Sequence, residues 1–167
     1  QGLERAFEIQ SAILPDALAG RDVLARAETG SGKTLAFTLA MTSRFRGRKV
    51  HRRRPLGVVL VPTRELAVQV GSDLSIAAKT RNARVLTIYG GRAYEPQIEA
   101  LEKGVEVVVG TPGRLIDLNR QHHLDLSQVK TVVLDEADEM LDLGFLPDVE
   151  KLLSAVPRVR HTMLFSA

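Results

Sequence analysis

The sequence predicts an α/β domain whose central sheet is mostly parallel and is covered by helices on both faces. Six short apolar runs alternate with segments of helical character, which implies right-handed crossovers between parallel strands. Two of these runs, 57–61 and 131–134, are almost wholly apolar, as expected for strands buried on both faces. The chain has 167 residues, of which 44% are hydrophobic, so it is long enough for one domain with a substantial core.

Each apolar run is assigned to a strand, and most of the segments between them to helices. The strands are expected at 22–25, 57–61, 84–88, 105–109, 130–134 and 162–167. The helices are expected at 3–18, 35–45, 62–79, 97–102, 111–120, 136–141 and 146–153. Pro15 should break or kink the first helix, because proline has no backbone N–H to donate. Residues that follow the strands should meet at one edge of the sheet, where ligands bind in such folds.

The stretch after the first strand is typical of a phosphate-binding loop. It reads Ala27-Glu28-Thr29-Gly30-Ser31-Gly32-Lys33-Thr34. Gly30 and Gly32 allow positive φ, so that successive backbone N–H groups can point at one anion. Lys33 would supply a positive charge for the β- and γ-phosphates, and Thr34 a hydroxyl for a magnesium ion. The alternative is a glycine turn before an ordinary helix, which the Gly-Lys-Thr ending between strand and helix disfavours.

A run of acids, Asp135-Glu136-Ala137-Asp138, directly follows the apolar strand 131–134. A carboxylate in that place is the usual magnesium partner of a phosphate loop. Asp135 would hold the ion directly or through water, and Glu136 would orient or deprotonate the attacking water. Together with Lys33 they are the expected catalytic residues. The alternative is that these acids merely favour the N-terminus of a helix, and the phosphate loop elsewhere in the chain argues against it.

The charge of the chain is modest in total but unevenly distributed. A formal net charge of +3 allows an anionic partner without requiring one. Seven cations crowd residues 44–54, and a solvated loop away from the ligand edge is the preferred interpretation of that stretch. The absence of cysteine excludes disulfide and thiol chemistry. No apolar run is long enough to cross a bilayer, so no membrane partner is expected.

These motifs, in this order, resemble those of the DEAD-box RNA helicases, a family of superfamily-two ATPases. Residues 135–138 spell the family name, and residues 27–34 resemble its first motif, with Ala27 where the general phosphate-loop pattern has glycine. The resemblance covers the whole chain. It implies a single RecA-like domain of the P-loop NTPase class, with ATP and Mg²⁺ as cofactors and RNA as the partner.

The resemblance also assigns roles to individual residues. Gln10 lies where the family reads adenine, and a carboxamide offers both the donor and the acceptor that adenine requires; the preceding Ala6-Phe7 departs from the family pattern. The nucleotide is expected on Gln10, Ala27, Thr29, Gly30, Ser31, Gly32, Lys33 and Thr34, with the metal on Thr34 and Asp135. The RNA is expected on Pro62, Thr63, Arg64, Gly90, Gly91, Thr111, Pro112, Gly113 and Arg114. Coupling between ATP and RNA is expected from Asp138, Ser166 and Ala167.

The expected contacts are to the sugar-phosphate backbone of the RNA. Thr63 and Thr111 are interpreted as helix N-caps and Pro112 as the first residue of a helix, where free N–H groups suit phosphate oxygens. Only 4% of the residues are aromatic, so few base-stacking platforms exist and binding without sequence preference is expected. The alternative interpretation of these predicted RNA-binding segments is that the threonines only cap helices and the glycine pair only forms a turn.

Family likeness implies that residues 1–167 are the N-terminal ATP-binding domain of a two-domain helicase, cut within a Ser-Ala-Thr motif. A second domain of the same protein would then complete hydrolysis and unwinding. The fragment is expected to be cytoplasmic, monomeric, and weakly active or inactive by itself. Two other classes stay open: an RNA clamp that binds ATP without turnover, which Lys33, Asp135 and Glu136 argue against, and a metabolic nucleotide kinase, which would not explain Gly90-Gly91 or residues 111–114.

Overall fold

Six strands form one sheet in which every pair of neighbours is parallel, in the order β1-β6-β5-β2-β4-β3. The computed structural model describes residues 8–28 and 30–167. The strands are β1 (Val23–Arg26), β2 (Gly57–Leu60), β3 (Val85–Ile88), β4 (Val107–Gly110), β5 (Thr131–Leu134) and β6 (His161–Ser166). The helices are α1 (Glu8–Leu18), α2 (Lys33–Ser43), α3 (Arg64–Lys79), α4 (Tyr94–Lys103), α5 (Pro112–Arg120), α6 (Ala137–Asp142) and α7 (Leu146–Ala155). The predicted fold class is confirmed.

Two apolar clusters cover the two faces of the sheet. One is built from α1, α2 and α3, with Phe37 and Phe165 in ring contact at its centre. The other is built from α4 to α7. Val59 belongs to the first cluster, whereas its neighbours Val58 and Leu60 belong to the second. This alternation explains why β2 is apolar throughout: successive side chains point to opposite faces, and both faces are buried.

The strand order divides the carboxyl edge of the sheet into two halves. The segments after β1, β6 and β5 lie side by side, and Ala27 N–H donates to Ser166 O at 2.8 Å. The segments after β2, β4 and β3 form the other half, where Thr111 N–H donates to Ile88 O at 3.1 Å. We call these the β1–β6–β5 half and the β2–β4–β3 half. Asp135 N–H donates to Leu60 O at 2.9 Å and joins the two halves.

Two local predictions are wrong and one lies outside the described residues. Pro15 does not break the first helix, because α1 runs on to Leu18 with Pro15 on its exposed face, where the unpaired carbonyl of Ser11 can reach water. Helix α4 begins at Tyr94 rather than near 97, since Pro96 falls in its first turn, where the missing N–H would have no helical partner anyway. The expected helical start at residues 3–7 lies outside the described part of the chain.

The arginine-rich segment is an exposed loop away from the ligand edge, as predicted, but three of its arginines are paired with acids. Arg52 and Arg53 both pair with Glu102, and Arg54 pairs with Asp125 at 3.0 Å. These acids come from distant parts of the chain, so no local pattern could reveal them. Among residues 8–28 and 30–167, no helix is long and apolar enough to cross a membrane.

Candidate nucleotide site and nucleic-acid interface

The loop after β1 has the backbone that a phosphate cradle requires. Gly30 and Gly32 have φ values of 83° and 86°, in the left-handed region that favours glycine. Helix α2 begins at Lys33 directly after this turn, so its unpaired N–H groups face the end of the loop. The predicted positive φ values are therefore confirmed. Thr29 lies outside the described residues.

Lys33 and Asp135 form a buried ion pair between the loop and the end of β5. Lys33 Nζ lies 2.9 Å from Asp135 Oδ1 and donates to Ala27 O at 3.1 Å. The two side chains are only 7% and 1% exposed. Burial raises the pKa of Asp135, and the hydrogen bond from Lys33 acts against that rise. The sequence placed these two segments at one edge of the sheet, and their contact confirms that placement.

The second carboxylate oxygen of this pair, Asp135 Oδ2, and the nearby loop atom Ser31 Oγ are buried and have no hydrogen-bond partner among the described residues. A buried acceptor without a partner is costly and marks a place where a ligand can bind. Thr34 is half-buried in the first turn of α2. A carboxylate oxygen and a hydroxyl are the ligand types that Mg²⁺ accepts, and Mg²⁺ usually completes its shell with water and substrate phosphate. Among residues 8–28 and 30–167, no three His, Cys, Asp or Glu side chains are grouped so that they could hold a metal ion.

Glu136 has a strained backbone next to Asp135. Its φ of 52° is left-handed, which is uncommon for a residue with a side chain, and it occupies the N-cap of α6. Its N–H donates to Asp135 Oδ1 at 3.1 Å. This bond fixes the Asp135 carboxylate and turns the chain sharply from β5 into α6. Strain of this kind tends to occur at functional sites.

Gln10 is buried beside the same loop, although a glutamine in a helix would ordinarily lie on the surface. It is 4% exposed, and its Nε2 donates to Gly32 O at 3.2 Å. The contact bridges residues 22 positions apart and ties α1 to the phosphate loop. The role of Gln10 in reading adenine stays a prediction.

In the β2–β4–β3 half, the predicted caps are in place but differ in their bonds. Thr63 is extended, and its side chain accepts from Leu66 N–H at 3.2 Å. Thr111 is also extended at the N-cap of α5, with Pro112 as the first helical residue, but its hydroxyl makes no capping bond. Thr63 thus satisfies an amide of its own helix, whereas the start of α5 keeps free N–H groups.

Arg64 connects two of the predicted RNA segments. Its Nη1 donates to Gly90 O at 3.4 Å, and the side chain is exposed. Gly91 has a φ of 82°, and a Cβ at that position would collide with Arg64 Nη1. The positive φ therefore favours glycine at position 91, while the exposed Arg64 side chain could move aside for a Cβ.

Arg114 lies in the interior rather than on the surface. It is 8% exposed, its guanidinium lies 3.8 Å from the centre of the Tyr94 ring, and its Nη1 donates to Arg92 O and Gln97 Oε1 at 3.0 and 3.1 Å. Gln97 in turn donates to Tyr89 O at 3.3 Å. The two side chains therefore clamp both ends of the loop 89–92.

A comparison with protein-family models matches residues 7–167 to the DEAD/DEAH box helicase family. This chain belongs to the DEAD/DEAH box helicases. Similar curated proteins include the DEAD-box ATP-dependent RNA helicases CshA of Bacillus cereus, 46% identical over 99% of this chain, and of Streptococcus pneumoniae, 45% identical over the same share. The chain spans 31% of the length of both relatives.

A solved structure has the same fold. The crystal structure of a hypothetical ATP-dependent RNA helicase from Sulfolobus tokodaii superposes with a TM-score of 0.88 at 36% identity, over 99% of this chain and 47% of that one. The RecA-like fold predicted for this family member is confirmed.

The sequence missed two residues of this DEAD/DEAH box domain and left three predictions open. Gln97 and Tyr94 lie three positions apart on α4 and face Arg114, but that spacing by itself is common on any helix. Asp138 is exposed and Ser166 is half-buried, and the described residues show no hydrogen bond between them. Their coupling role, and that of Ala167, stays a prediction.

Proposed function

We propose that this chain is the ATP-binding domain of an ATP-dependent RNA helicase, which couples ATP hydrolysis to RNA duplex unwinding together with a second helicase domain. The observation that carries this proposal is the buried Lys33–Asp135 pair at the end of a glycine loop, beside an unpartnered carboxylate oxygen. Membership of the family and the names of its longer relatives agree with it.

The nucleotide would lie across the β1–β6–β5 half. Backbone N–H groups of the loop and Lys33 would hold the phosphates, because the loop leads directly into the N-terminus of α2, where backbone N–H groups lack helical partners. Thr34 and Asp135 would hold Mg²⁺, which when bound neutralises phosphate charge. Glu136 would orient the attacking water and accept its proton, since it directly follows Asp135. Gln10, already bonded to Gly32 O, would pair with adenine and select ATP.

The RNA would lie across the β2–β4–β3 half. Free N–H groups at the start of α5 and the exposed Arg64 suit phosphate oxygens, and Gly90-Gly91 allows two backbones to approach closely. Arg114 would act through the loop it clamps, because its guanidinium is turned inward. Such contacts position a strand without reading its bases.

The test of this proposal is nucleotide binding measured by calorimetry. The chain should bind ATP in the presence of Mg²⁺ more tightly than GTP, and Lys33→Ala should abolish the binding heat. Lys79→Ala, an exposed lysine at the end of α3, is the matched control and should bind as the unaltered chain does. Equal affinity of the Lys33→Ala variant would overturn the proposal.

Hydrolysis by this chain alone should be slow and little stimulated by RNA. Stabilising the transition-state charge of a phosphoryl transfer usually needs an arginine from another segment, which is worth about 10³–10⁵ in rate. Adding single-stranded RNA while phosphate release is measured checks this. Strong stimulation of the isolated chain would show that no second domain is needed.

A further inference from the structure

The basic segment 44–54 plays no part in the proposed function. It carries seven of the 23 Lys and Arg residues of the chain. They are Arg44, Arg46, Arg48, Lys49, Arg52, Arg53 and Arg54. The segment precedes β2, so it lies at the amino edge of the sheet, opposite the nucleotide loop and the predicted RNA segments. The four residues of β2 separate the two edges by about 13 Å.

The backbone of residues 51–54 of this segment is anchored by distant parts of the chain. Arg53 N–H donates to Leu101 O at 2.8 Å, and Arg53 O accepts from Asp125 N–H at 2.7 Å. His51 and Arg54 form a short antiparallel bridge, and Arg53 between them has a left-handed φ of 63°. A segment fixed in this way presents its side chains in a defined arrangement, which lowers the entropy cost of binding a ligand.

The acids near the segment form ion pairs with three of its cations. Hydrogen bonds from Arg53 and Arg52 lower the pKa of Glu102, so this carboxylate stays ionised and paired. Asp125 is paired with Arg54. Arg46, Arg48 and Lys49 make no ion pair with any acid in residues 8–28 and 30–167, and neither does the neighbouring Lys130.

These free cations line a cleft. A depression of about 300 Å³ is bordered by Arg48, Lys49, Arg54 and Lys130, and none of its lining residues is acidic. Through His51 and Arg54 it continues into a second depression of about 620 Å³ beside Arg52 and Arg53, where Asp125, the partner of Arg54, is the one acidic lining residue described. The cations therefore form a continuous basic channel along the amino edge, which we call the amino-edge cleft.

We propose that the amino-edge cleft binds the phosphodiester backbone of a single RNA strand, without sequence preference. Arginine guanidinium groups match phosphate oxygens in geometry as well as charge. The described lining residues of the cleft include no Phe, Tyr or Trp, and its aromatic side chains are the imidazoles of His51 and His122, so its contacts would be mainly to phosphates. An acidic protein partner is less well matched, because protein interfaces have an apolar and aromatic centre. This binding goes beyond the proposed function and needs no nucleotide.

The test is the salt dependence of RNA affinity, measured by the fluorescence anisotropy of a labelled oligouridine strand. The variant Arg48→Ala/Lys49→Ala/Lys130→Ala removes three cleft cations that have no acidic partner. The slope of log affinity against log salt should become shallower by about two, and affinity near 0.1 M salt should fall roughly ten- to a hundredfold. A DNA strand of the same length should lose as much, since only phosphates are contacted.

Two matched variants make the result specific. Lys79→Ala/Arg81→Ala/Lys151→Ala removes three exposed cations elsewhere and should change the slope far less. Arg64→Ala tests RNA binding at the carboxyl edge. Its loss of RNA affinity should add to that of the cleft variant, so the two sites are tested independently. ATP binding should be unchanged in the cleft variant, which shows that it is folded.

Two outcomes would overturn the proposal. The first is an equal loss of RNA affinity in the cleft variant and in the control with the same change of charge. The second is an unchanged slope of log affinity against log salt in the cleft variant, which would show that these cations do not contact RNA phosphates.

Discussion

The two halves of the carboxyl edge differ in whether their buried polar side chains have hydrogen-bond partners. In the β1–β6–β5 half, Asp135 Oδ2 and Ser31 Oγ are buried without a partner, and Lys33 is paired inside the protein. In the β2–β4–β3 half, the buried Gln97 and Arg114 are satisfied by carbonyls and by each other, and Arg64 is exposed. The first half contains buried side-chain groups that a ligand can satisfy. The buried side chains of the second half are satisfied within the protein, although backbone N–H groups at the start of α5 stay free.

This difference indicates how each half would bind. A ligand that satisfies buried, unpaired groups should stabilise the fold strongly, because it binds the folded chain and removes a desolvation cost. RNA bound across the β2–β4–β3 half, whose buried side chains are already satisfied, would gain mainly from electrostatic attraction at the surface, which salt weakens. The comparison therefore predicts tight, specific binding in the first half and looser, general binding in the second.

The largest expected effect follows from breaking the buried pair in the β1–β6–β5 half. Lys33→Met should lower the free energy of unfolding by about 3–5 kcal/mol, because Asp135 is left as an unpaired buried charge. Adding Asp135→Asn should recover most of the loss, since the amide keeps the bond from Glu136 N–H without the charge. Urea denaturation checks both variants. A loss below about 1 kcal/mol for Lys33→Met would contradict the assignment.

A smaller effect is expected from the clamp in the β2–β4–β3 half. Gln97→Leu removes partners of Tyr89 O and Arg114, so the free energy of unfolding should fall by about 1–3 kcal/mol, and RNA affinity should fall with it. Gln69→Leu makes the same change on an exposed face of α3 and should leave both unchanged. Denaturation and RNA anisotropy of the two variants give the comparison.

Arg64→Ala separates binding from folding in the same half. Its side chain is exposed, so stability should change by less than about 0.5 kcal/mol while RNA affinity falls. A large loss of stability would mean that Arg64 acts as a structural residue instead.

The bond between α1 and the phosphate loop should affect nucleotide choice more than stability. Gln10→Ala should lower the preference for ATP over GTP by about tenfold, equivalent to about 1.4 kcal/mol. Calorimetry with the two nucleotides measures the ratio, and Ser11→Ala, the exposed neighbour on α1, is the control. An unchanged ratio would leave Gln10 as a structural contact alone.

The smallest effect is expected at the other end of β6, where His161 is buried. Its Nε2 lies 2.7 Å from Arg21 O, and burial lowers its pKa below the ordinary value of 6.5. Below about pH 6.5, His161 binds a proton more readily in the unfolded chain than in the folded chain. The free energy of unfolding should therefore fall as the pH drops below about 6.5. His161→Gln should remove this part of the pH dependence, as denaturation at several pH values can show. If the pH dependence of stability is the same in the His161→Gln variant, other titratable groups cause it.

Sequence patterns could predict elements and motifs because both depend on local physics. The apolar run of β2 follows from its burial on both faces, and the positive φ values of Gly30 and Gly32 follow from the chemistry of a phosphate loop. The inward turn of Arg114 and the clamp at Gln97 could not be predicted, because their partners come from other elements. The break expected at Pro15 did not occur, since α1 continues to Leu18 with Pro15 on its exposed face.

The sequence by itself determined the fold class, the order of the motifs and the edge of the sheet at which they meet, since periodicity and parallel topology depend on residues close in the chain. Only the tertiary structure decided which polar groups are satisfied and which are left for a ligand. Arg52, Arg53 and Arg54 show the reason: their acidic partners Glu102 and Asp125 lie about 50 to 70 residues away in the chain. Charges so distant meet only after the sheet has formed, and which cations they leave unpaired then decides where a second anion can bind.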